Sequence, residues 1–202
     1  TDGVEPPPDS GDGTVKVSTY ANNGSAFAGG SLNFFCKIEG LGDGLVADFS
    51  LEVDGPDDGD IADMEVTFTK AGIYAIACRA EWDGGWAKDT TPLYIEILPG
   101  EVAVADTVLS NSTVQAGATV WVTCTFADSW GNPVETSPKV IVDPQIGLQV
   151  AGTKILTKKS GNYQVACMDP VSGTVDQTPA SLTVTAGLPK KIVTTLTQDT
   201  IQ

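Results

Sequence analysis

Five aspartates within ten residues form the densest group of potential metal ligands in this chain. They lie in a segment rich in Gly and Pro, which predicts a turn between strands, and they are Asp54, Asp57, Asp58, Asp60 and Asp63. Calcium takes six to eight oxygen ligands, and closely spaced carboxylates on a turn can supply them. The spacing does not match an EF-hand loop, so a solvated acidic turn is the simpler interpretation. Calcium is the one candidate cofactor.

Two tryptophans flank a short Gly-rich turn and are the residues best suited to contact a ligand. Trp82 and Trp86 enclose Asp83-Gly84-Gly85, which is typical of a hairpin. Aromatic side chains on a loop suit contacts with sugars or proteins, and loops at the end of a β-sandwich often carry binding residues. Packing against the neighbouring module explains the same pair equally well, so both interpretations stay open.

The residue inventory argues against catalysis. The chain has no histidine, which is the commonest general base and transition-metal ligand. It also lacks a Gly-x-Ser-x-Gly motif and a phosphate-binding loop. Because the cysteines fall in pairs, none is expected to act as a nucleophile. We therefore assign no catalytic residues and predict that the protein is not an enzyme.

The charge and hydropathy of the chain exclude some classes of partner. The formal net charge is −15, which argues against binding to nucleic acids or to anionic membrane surfaces. No run of about 18 apolar residues is present. We therefore expect no nucleic-acid partner and no membrane-spanning segment.

The four cysteines occupy matching positions in two halves of the chain. Cys36 and Cys124 are 88 residues apart, and Cys78 and Cys167 are 89 apart. Two bridges, Cys36–Cys78 and Cys124–Cys167, are the economical interpretation. Zinc is the competing one, but it normally needs short Cys-x-x-Cys or Cys/His spacing, which is missing. Bridges predict an oxidising compartment: outside the cell, at its surface, or in the periplasm.

Two asparagines stand in N-glycosylation sequons. Asn23-Gly-Ser and Asn111-Ser-Thr each place the asparagine 13 residues before the first cysteine of its half. The coincidence is consistent with modification at Asn23 and Asn111. Turns favour Asn, Gly, Ser and Thr without any modification, and we prefer that explanation.

A repeated phrase defines the organisation that must position these residues. Residues 109–115 (LSNSTVQ) are rewritten at 196–202 (LTQDTIQ), and an earlier version stands at 21–27 (ANNGSAF). The repeat length, 88 or 89 residues between equivalent cysteines, suits a small β-sandwich and exceeds that of most solenoid repeats. The predicted division is an acidic Pro/Gly-rich linker at 1–13, sandwich domains at 14–99 and 100–187, and at 188–202 the first strand of a third repeat or an exchanged strand.

Alternating apolar residues predict the core strands. Residues 32, 34, 36 and 38 place Leu, Phe, Cys and Ile on one face, and residues 120–126 repeat the pattern. A Gly-x-Tyr-x-x-x-Cys segment at 72–78 recurs at 161–167, again with Tyr and Cys on one face. We expect the cysteines of each half to meet between two sheets.

These motifs resemble known families. Cysteines on the second and sixth strands are similar to an immunoglobulin-type sandwich. The segment 128–134 (DSWGNPV) resembles the bacterial Ig-like repeats of invasin- and intimin-type surface proteins, in which Asp-x-x-Gly-Asn makes a turn and Pro-Val opens the next strand. Those repeats usually lack the bridge. The resemblance implies an all-β fold: two tandem Ig-like β-sandwiches with an additional C-terminal strand from a third repeat.

The same resemblance implies the function. We expect a non-enzymatic extracellular structural or adhesive stalk built of disulfide-bridged Ig-like modules. One alternative is a subunit of a head-to-tail filament assembled by addition of the C-terminal strand. Another is a glycan- or protein-binding module that uses the Trp82/Trp86 loop. The expected partners are further Ig-like repeats of the same chain or neighbouring subunits, and a cell-surface protein or glycan.

Overall fold

A computed structural model describes residues 15–189, together with 193 and 195. The predicted linker at 1–13 lies outside these residues, as does most of the predicted final strand. Contacts divide the described chain into two compact units. Unit 1 comprises residues 15–101 and 127–134, and unit 2 comprises residues 102–126 and 135–189. In the described part of the chain, no helix has the length and apolar character needed to cross a bilayer.

Unit 1 is a two-layer β-sandwich. Its sheets have the strand orders β1-β3-β6-β5 and β2-β9-β7-β4, with β8 pairing with the end of β7. β2 runs parallel to β9, so the first segment of the unit contributes to both sheets. The strands are β1 (Lys16–Ala21), β2 (Ser25–Phe27), β3 (Ser31–Glu39), β4 (Asp48–Asp54), β5 (Asp60–Ala62), β6 (Glu65–Thr67), β7 (Gly72–Trp82), β8 (Gly85–Lys88) and β9 (Leu93–Leu98).

Unit 2 repeats this topology. Its sheets have the orders β10-β12-β15-β14 and β11-β17-β16-β13. No counterpart of β8 occurs in the described part of unit 2, because β16 ends three residues shorter than β7. The strands are β10 (Val104–Leu109), β11 (Thr113–Gln115), β12 (Thr119–Ala127), β13 (Lys139–Asp143), β14 (Leu148–Ala151), β15 (Lys154–Thr157), β16 (Gly161–Met168) and β17 (Ala180–Thr185).

The core of each unit follows from the alternation in its strands. In β3, Leu32 and Phe34 are buried and their neighbours are exposed, because successive side chains point to opposite faces. They meet Phe68, Tyr74 and other buried residues in one apolar cluster. Burying each large side chain contributes roughly 1.5–3 kcal/mol. The predicted all-β, Ig-like architecture is therefore confirmed.

Both predicted disulfides are formed. Cys36 in β3 is bonded to Cys78 in β7, and Cys124 in β12 is bonded to Cys167 in β16, each pair with Cα atoms 5.7 Å apart. Each bond joins one sheet of its unit to the other. No cysteine is free, so the zinc alternative is excluded.

A tyrosine fastens the turn that precedes each cysteine-bearing strand. The Tyr74 hydroxyl lies 2.9 Å from the carbonyl oxygen of Lys70, and the Tyr163 hydroxyl lies 2.9 Å from that of Lys159. In immunoglobulin domains, a tyrosine two residues before the cysteine bonds back to the chain in this way. Here the tyrosine stands four residues before the cysteine and makes a corresponding bond.

Removal of either bridge should destabilise its own unit. The Cys36→Ala/Cys78→Ala variant is expected to lose about 4 kcal/mol of unfolding free energy, since the bridge closes a loop of some 40 residues in the unfolded chain. Urea denaturation measures this loss, and Cys124→Ala/Cys167→Ala is the matched variant for unit 2. Melting curves that stay the same in reductant would contradict the stabilising role of both bridges.

Candidate functional site

A groove of about 600 Å³ lies on the outer face of one sheet of unit 1. Ala75 and Ala77 of β7 lie beside Glu52 and Asp54 of β4, and Trp86 also lines the groove. Strand pairing sets this arrangement, because Glu52 is opposite Ala77 and Asp54 is opposite Ala75. The volume is in the range of about 300–1,000 Å³ that is usual for small-ligand sites.

The structure separates the two tryptophans of the predicted binding loop. In the β7–β8 hairpin, Trp82 is opposite Gly85 and Glu81 is opposite Trp86, so the two rings lie on opposite faces. Trp82 packs against the core. Trp86 lines the groove, and the Arg79 guanidinium lies 4.6 Å from the centroid of its ring. Trp82 therefore packs within its own unit, whereas Trp86 lines the groove, and ligand binding by this loop stays a prediction.

Ion pairs hold one wall of the groove in place. Glu52 pairs with Lys88 and lies 3.8 Å from Arg79, which also bonds Glu81 at 2.8 Å. Exposed pairs of this kind each contribute roughly 0–1 kcal/mol, so they position side chains more than they stabilise the fold. Among the described residues, Asp54 has no ion-pair partner. Its carboxylate can therefore accept hydrogen bonds from a ligand.

The five aspartates of the acidic turn do not converge on one point. Asp57 is hydrogen-bonded to Tyr74 Oη at 2.6 Å and Thr69 Oγ1 at 2.8 Å, while Asp54, Asp58, Asp60 and Asp63 are exposed. The described residues contain no group of three or more acidic, His or Cys side chains placed to hold a metal ion. The turn therefore has a structural role that is visible in its contacts, and its geometry lends calcium no support.

Hydrogen bonding keeps Asp57 ionised. Burial opposes ionisation, but the bonds from Tyr74 and Thr69 outweigh it and hold the pKa of the carboxyl below its ordinary value. Burial and the neighbouring Asp57 charge together raise the pKa of Tyr74. The pair thus anchors the acidic turn to the start of β7.

A threonine and an aspartate bracket each cysteine of the β7 and β16 strands, and sequence reasoning missed them. The Cys78 amide donates to Thr19 Oγ1 at 2.8 Å, and the Asp89 amide donates to the Cys78 carbonyl at 2.9 Å. Asp89 Oδ2 accepts from the Thr19 amide at 2.7 Å. The three residues tie β1 to β7 beside the disulfide.

Unit 2 carries a matching bracket. The Cys167 amide donates to Thr107 Oγ1 at 2.8 Å, and the Asp176 amide donates to the Cys167 carbonyl at 3.0 Å. The available signal was the repetition of Asp-x-Thr-Pro at 89–92 and 176–179, which stand at equivalent places. Burial raises the pKa of Asp89, but the hydrogen bonds from Thr19 and Thr91 have the larger, opposite effect, so the pKa lies below its ordinary value.

The Asp-x-x-Gly-Asn segment forms the predicted turn. Asp128 and Asn132 are 1% and 4% exposed. Asp128 Oδ1 accepts from the amides of Trp130 and Asn132, both at 2.9 Å, and Asp128 Oδ2 accepts from Asn132 Nδ2 at 2.8 Å. Burial raises the pKa of Asp128, but these bonds outweigh it and the pKa is lowered.

The same turn bonds three backbone groups of unit 1. Asn132 Oδ1 accepts from the Ala71 amide at 2.9 Å, and Asn132 Nδ2 donates to the Thr69 carbonyl at 2.8 Å. Asp128 Oδ2 also accepts from the Gly100 amide at 2.8 Å. The two conspicuous polar residues of the motif therefore have structural partners.

In unit 2 the most strongly shifted carboxyl is Asp169. It accepts from Thr136 Oγ1 at 2.6 Å, and from the Ser172 hydroxyl and amide at 2.7 and 2.9 Å. These bonds lower the pKa of Asp169 from its ordinary 3.8 to about 2. The carboxylate closes the loop that follows β16.

Both sequon asparagines lie on exposed turns. Asn23 and Asn111 are solvent-exposed, so they are accessible. The residue before each one does the hydrogen bonding of the turn: Asn22 Oδ1 accepts from the Asn33 amide, and Ser110 Oγ accepts from the Trp121 amide. Glycosylation at Asn23 and Asn111 stays a prediction.

Comparison with known proteins supports the fold. No protein-family model matches the sequence, and no curated protein matches it. The solved structure of InvD from Yersinia pseudotuberculosis matches with a TM-score of 0.51 and 12% identity, over 91% of this chain and 61% of that one. Invasin, a bacterial integrin-binding protein, matches with a TM-score of 0.50 and 12% identity, over 86% of this chain and 40% of that one.

A third structure, FdeC, an Escherichia coli adhesin, matches with a TM-score of 0.48 and 18% identity, over 84% of this chain and 64% of that one. This chain thus spans less than two thirds of the length of each of the three structures. The likeness to InvD and invasin confirms the predicted Ig-like fold.

Acid should destabilise the protein through its hydrogen-bonded carboxylates. Because the folded-state pKa of Asp169 lies below its unfolded value, the carboxylate stabilises the fold above about pH 4, and this contribution is lost as the pH falls toward 2. Asp57, Asp89 and Asp128 shift in the same direction. We expect the melting temperature to be level above about pH 5 and to fall below about pH 4.

Two variants identify the cause of that decline. Asp169→Asn should flatten the acid decline of unit 2, whereas Asp106→Asn, at an exposed site in β10, should leave it unchanged. Thermal melting followed by circular dichroism from pH 6 to pH 2 at constant ionic strength measures both. An Asp169→Asn variant with the full wild-type decline would show that this carboxylate does not contribute.

Proposed function

We propose that the chain is a non-enzymatic, extracellular structural segment of a surface stalk, made of disulfide-bridged Ig-like modules. The observation that carries the proposal is the bond between the two sheets of each unit, formed in both units. Disulfides persist in oxidising compartments, which supports a place outside the cell or in the periplasm. The fold shared with InvD and invasin supports a role of the same general kind, adhesion included.

The bridges suit a module that carries tension. A pulled sandwich without a bridge extends along its whole length, whereas a bridged one can extend only outside the loop that the bridge closes. The separations are 42 residues in unit 1 and 43 in unit 2. At roughly 3.3–3.6 Å per extended residue, each bridge withholds on the order of 150 Å of chain.

Single-molecule pulling tests this role. With the full chain held at both ends, each unit should unfold in a step that is about 150 Å longer in reductant than without it. The Cys36→Ala/Cys78→Ala variant should show one long and one short step, and its unit 2 serves as the internal control. Steps of equal length with and without reductant would refute the mechanical role.

The groove beside Trp86 supports a second candidate function, the binding of a glycan. The half-buried ring of Trp86 offers an apolar surface, the small side chains of Ala75 and Ala77 leave space, and Asp54 offers an acceptor for hydroxyl groups. Such a combination of one aromatic surface and a few polar groups is typical of ligand sites. Trp82, on the core side of the hairpin, would hold the loop in position.

A tryptophan exchange tests the groove. On an array of neutral oligosaccharides, the full chain should bind one class of glycan, and Trp86→Ala should reduce that binding at least about tenfold, which corresponds to 1.4 kcal/mol. Trp121→Ala is the matched control, because Trp121 is 56% exposed and also has a cation near its ring, Lys154 at 5.2 Å. Equal binding by all three proteins, or none by the wild type, would eliminate the glycan site.

The alternative of a head-to-tail filament depends on addition of the strand predicted at 188–202. Most of that segment lies outside the described residues. Filament assembly therefore stays a prediction from the sequence.

A further inference from the structure

In unit 1, residues 128–132 occupy a surface that we call the turn socket, defined by Gly29, Thr69, Ala71 and Gly100. Three of these residues supply backbone bonds: the Thr69 carbonyl and the Ala71 amide bond Asn132, and the Gly100 amide bonds Asp128. The side chain of Lys70 adds a bond to the Trp130 carbonyl at 3.3 Å. The socket thus recognises an Asp-x-x-Gly-Asn turn mainly through main-chain groups.

Gly29 makes room for the tryptophan of the turn. A Cβ atom at this position would come within 2.5 Å of Trp130 Nε1, and the backbone φ of +86° also favours glycine. The socket therefore depends on a residue without a side chain at one defined place.

Unit 2 has a second turn socket, and its hydrogen bonds establish which residues correspond. The Gly29 amide bonds the Phe68 carbonyl as the Gly117 amide bonds that of Thr157. The Ala28 amide bonds the Leu98 carbonyl as the Ala116 amide bonds that of Thr185. Counting onward from these pairs gives the second socket, which consists of Gly117, Lys158, Ser160 and Gly187.

The second socket keeps the features that recognise the turn. By this count, the Lys158 carbonyl and the amides of Ser160 and Gly187 correspond to the three groups with which unit 1 bonds the turn. Gly117 has a φ of +99°, and nothing lies within 4 Å of the place where a Cβ atom would be. Lys159 takes the position of Lys70. Space of about 570 Å³ lies at this surface, with Gly117, Lys158 and Gly187 in its lining.

We infer that the socket of unit 2 binds the Asp-x-x-Gly-Asn turn of a following Ig-like repeat. Unit 1 shows the bound form of such a turn, and residues 196–202 rewrite the opening phrase of a repeat. Charge is also complementary, since Lys158 and Lys159 are exposed and the turn carries an aspartate. A socket of this kind would bind the same turn in every repeat that carries the motif.

This inference rests on the proposed function as a segment of a repeat array, but the two can fail separately. Pulling reports on the bridges, whereas the amide of Ser160 reports on the socket. A result on one leaves the other open to its own test.

The repeat itself supplies the test molecule. Because 196–202 rewrites 109–115 without a gap, a copy of residues 116–189 appended after Gln202 continues the third repeat in register. Amide hydrogen exchange, measured by NMR on the 202-residue chain and on the extended chain, reports on the socket. The Ser160 amide should exchange at least about tenfold more slowly in the extended chain.

Matched variants separate binding from general stabilisation. Changing the appended copy of Asn132 to alanine should restore fast exchange at Ser160 and leave Ala71 protected. Asn132→Ala at the original position should make the Ala71 amide exchange fast and leave Ser160 protected. This variant is the internal control from unit 1. Ser160 exchange that is equally fast in all the extended chains, with Ala71 responding to Asn132→Ala, would overturn the inference.

A second measurement does not require the appended repeat to fold. A cyclised peptide of residues 127–134, titrated into the 202-residue chain, should shift the amide resonances of Gly117, Ser160 and Gly187. The Asn132→Ala peptide should shift none of them. Identical spectra with the two peptides at millimolar concentration would also count against the socket.

Discussion

The covalent link between the two sheets of each unit is the constraint on which the other features depend. Cys78 reaches Cys36 across the sandwich, and its own backbone is bonded on one side to Thr19 and on the other to Asp89. The same three-part arrangement recurs around Cys167. The disulfide and these backbone bonds together hold the cysteine-bearing strand in place. They thereby also position Tyr74 at the start of β7 and the β7–β8 hairpin at its end.

The two units differ in the chain that follows the cysteine-bearing strand. Where β7 continues beyond the cysteine into β8, a groove with Trp86 in its wall is formed. Where β16 ends at Met168, a loop closed by Asp169 follows instead. The segment after the bridge is one place where the two units differ, and such loops can acquire binding functions on a constant scaffold.

The core strands and both disulfides could be predicted from the sequence. The core strands follow from the alternation of apolar residues with a period of two. Both bridges follow from the cysteine spacing, which repeats with one length. The Thr19–Cys78–Asp89 bracket escaped notice, since its partners are far apart in sequence and a lone Thr on a strand carries no signal of its own. The aspartates show the opposite limit: they are close in sequence, yet only the fold decides whether five carboxylates converge.

The spacing of the cysteines also has a consequence for biogenesis. Four cysteines permit three pairings, and two nearly identical modules invite exchange between them. Each native partner lies only 42 or 43 residues away, while the equivalent cysteines of the two modules are 88 or 89 residues apart. A chain that emerges from its amino end presents Cys36 and Cys78 to an oxidant before Cys124 follows. The order in which the cysteines emerge therefore favours the native pairs.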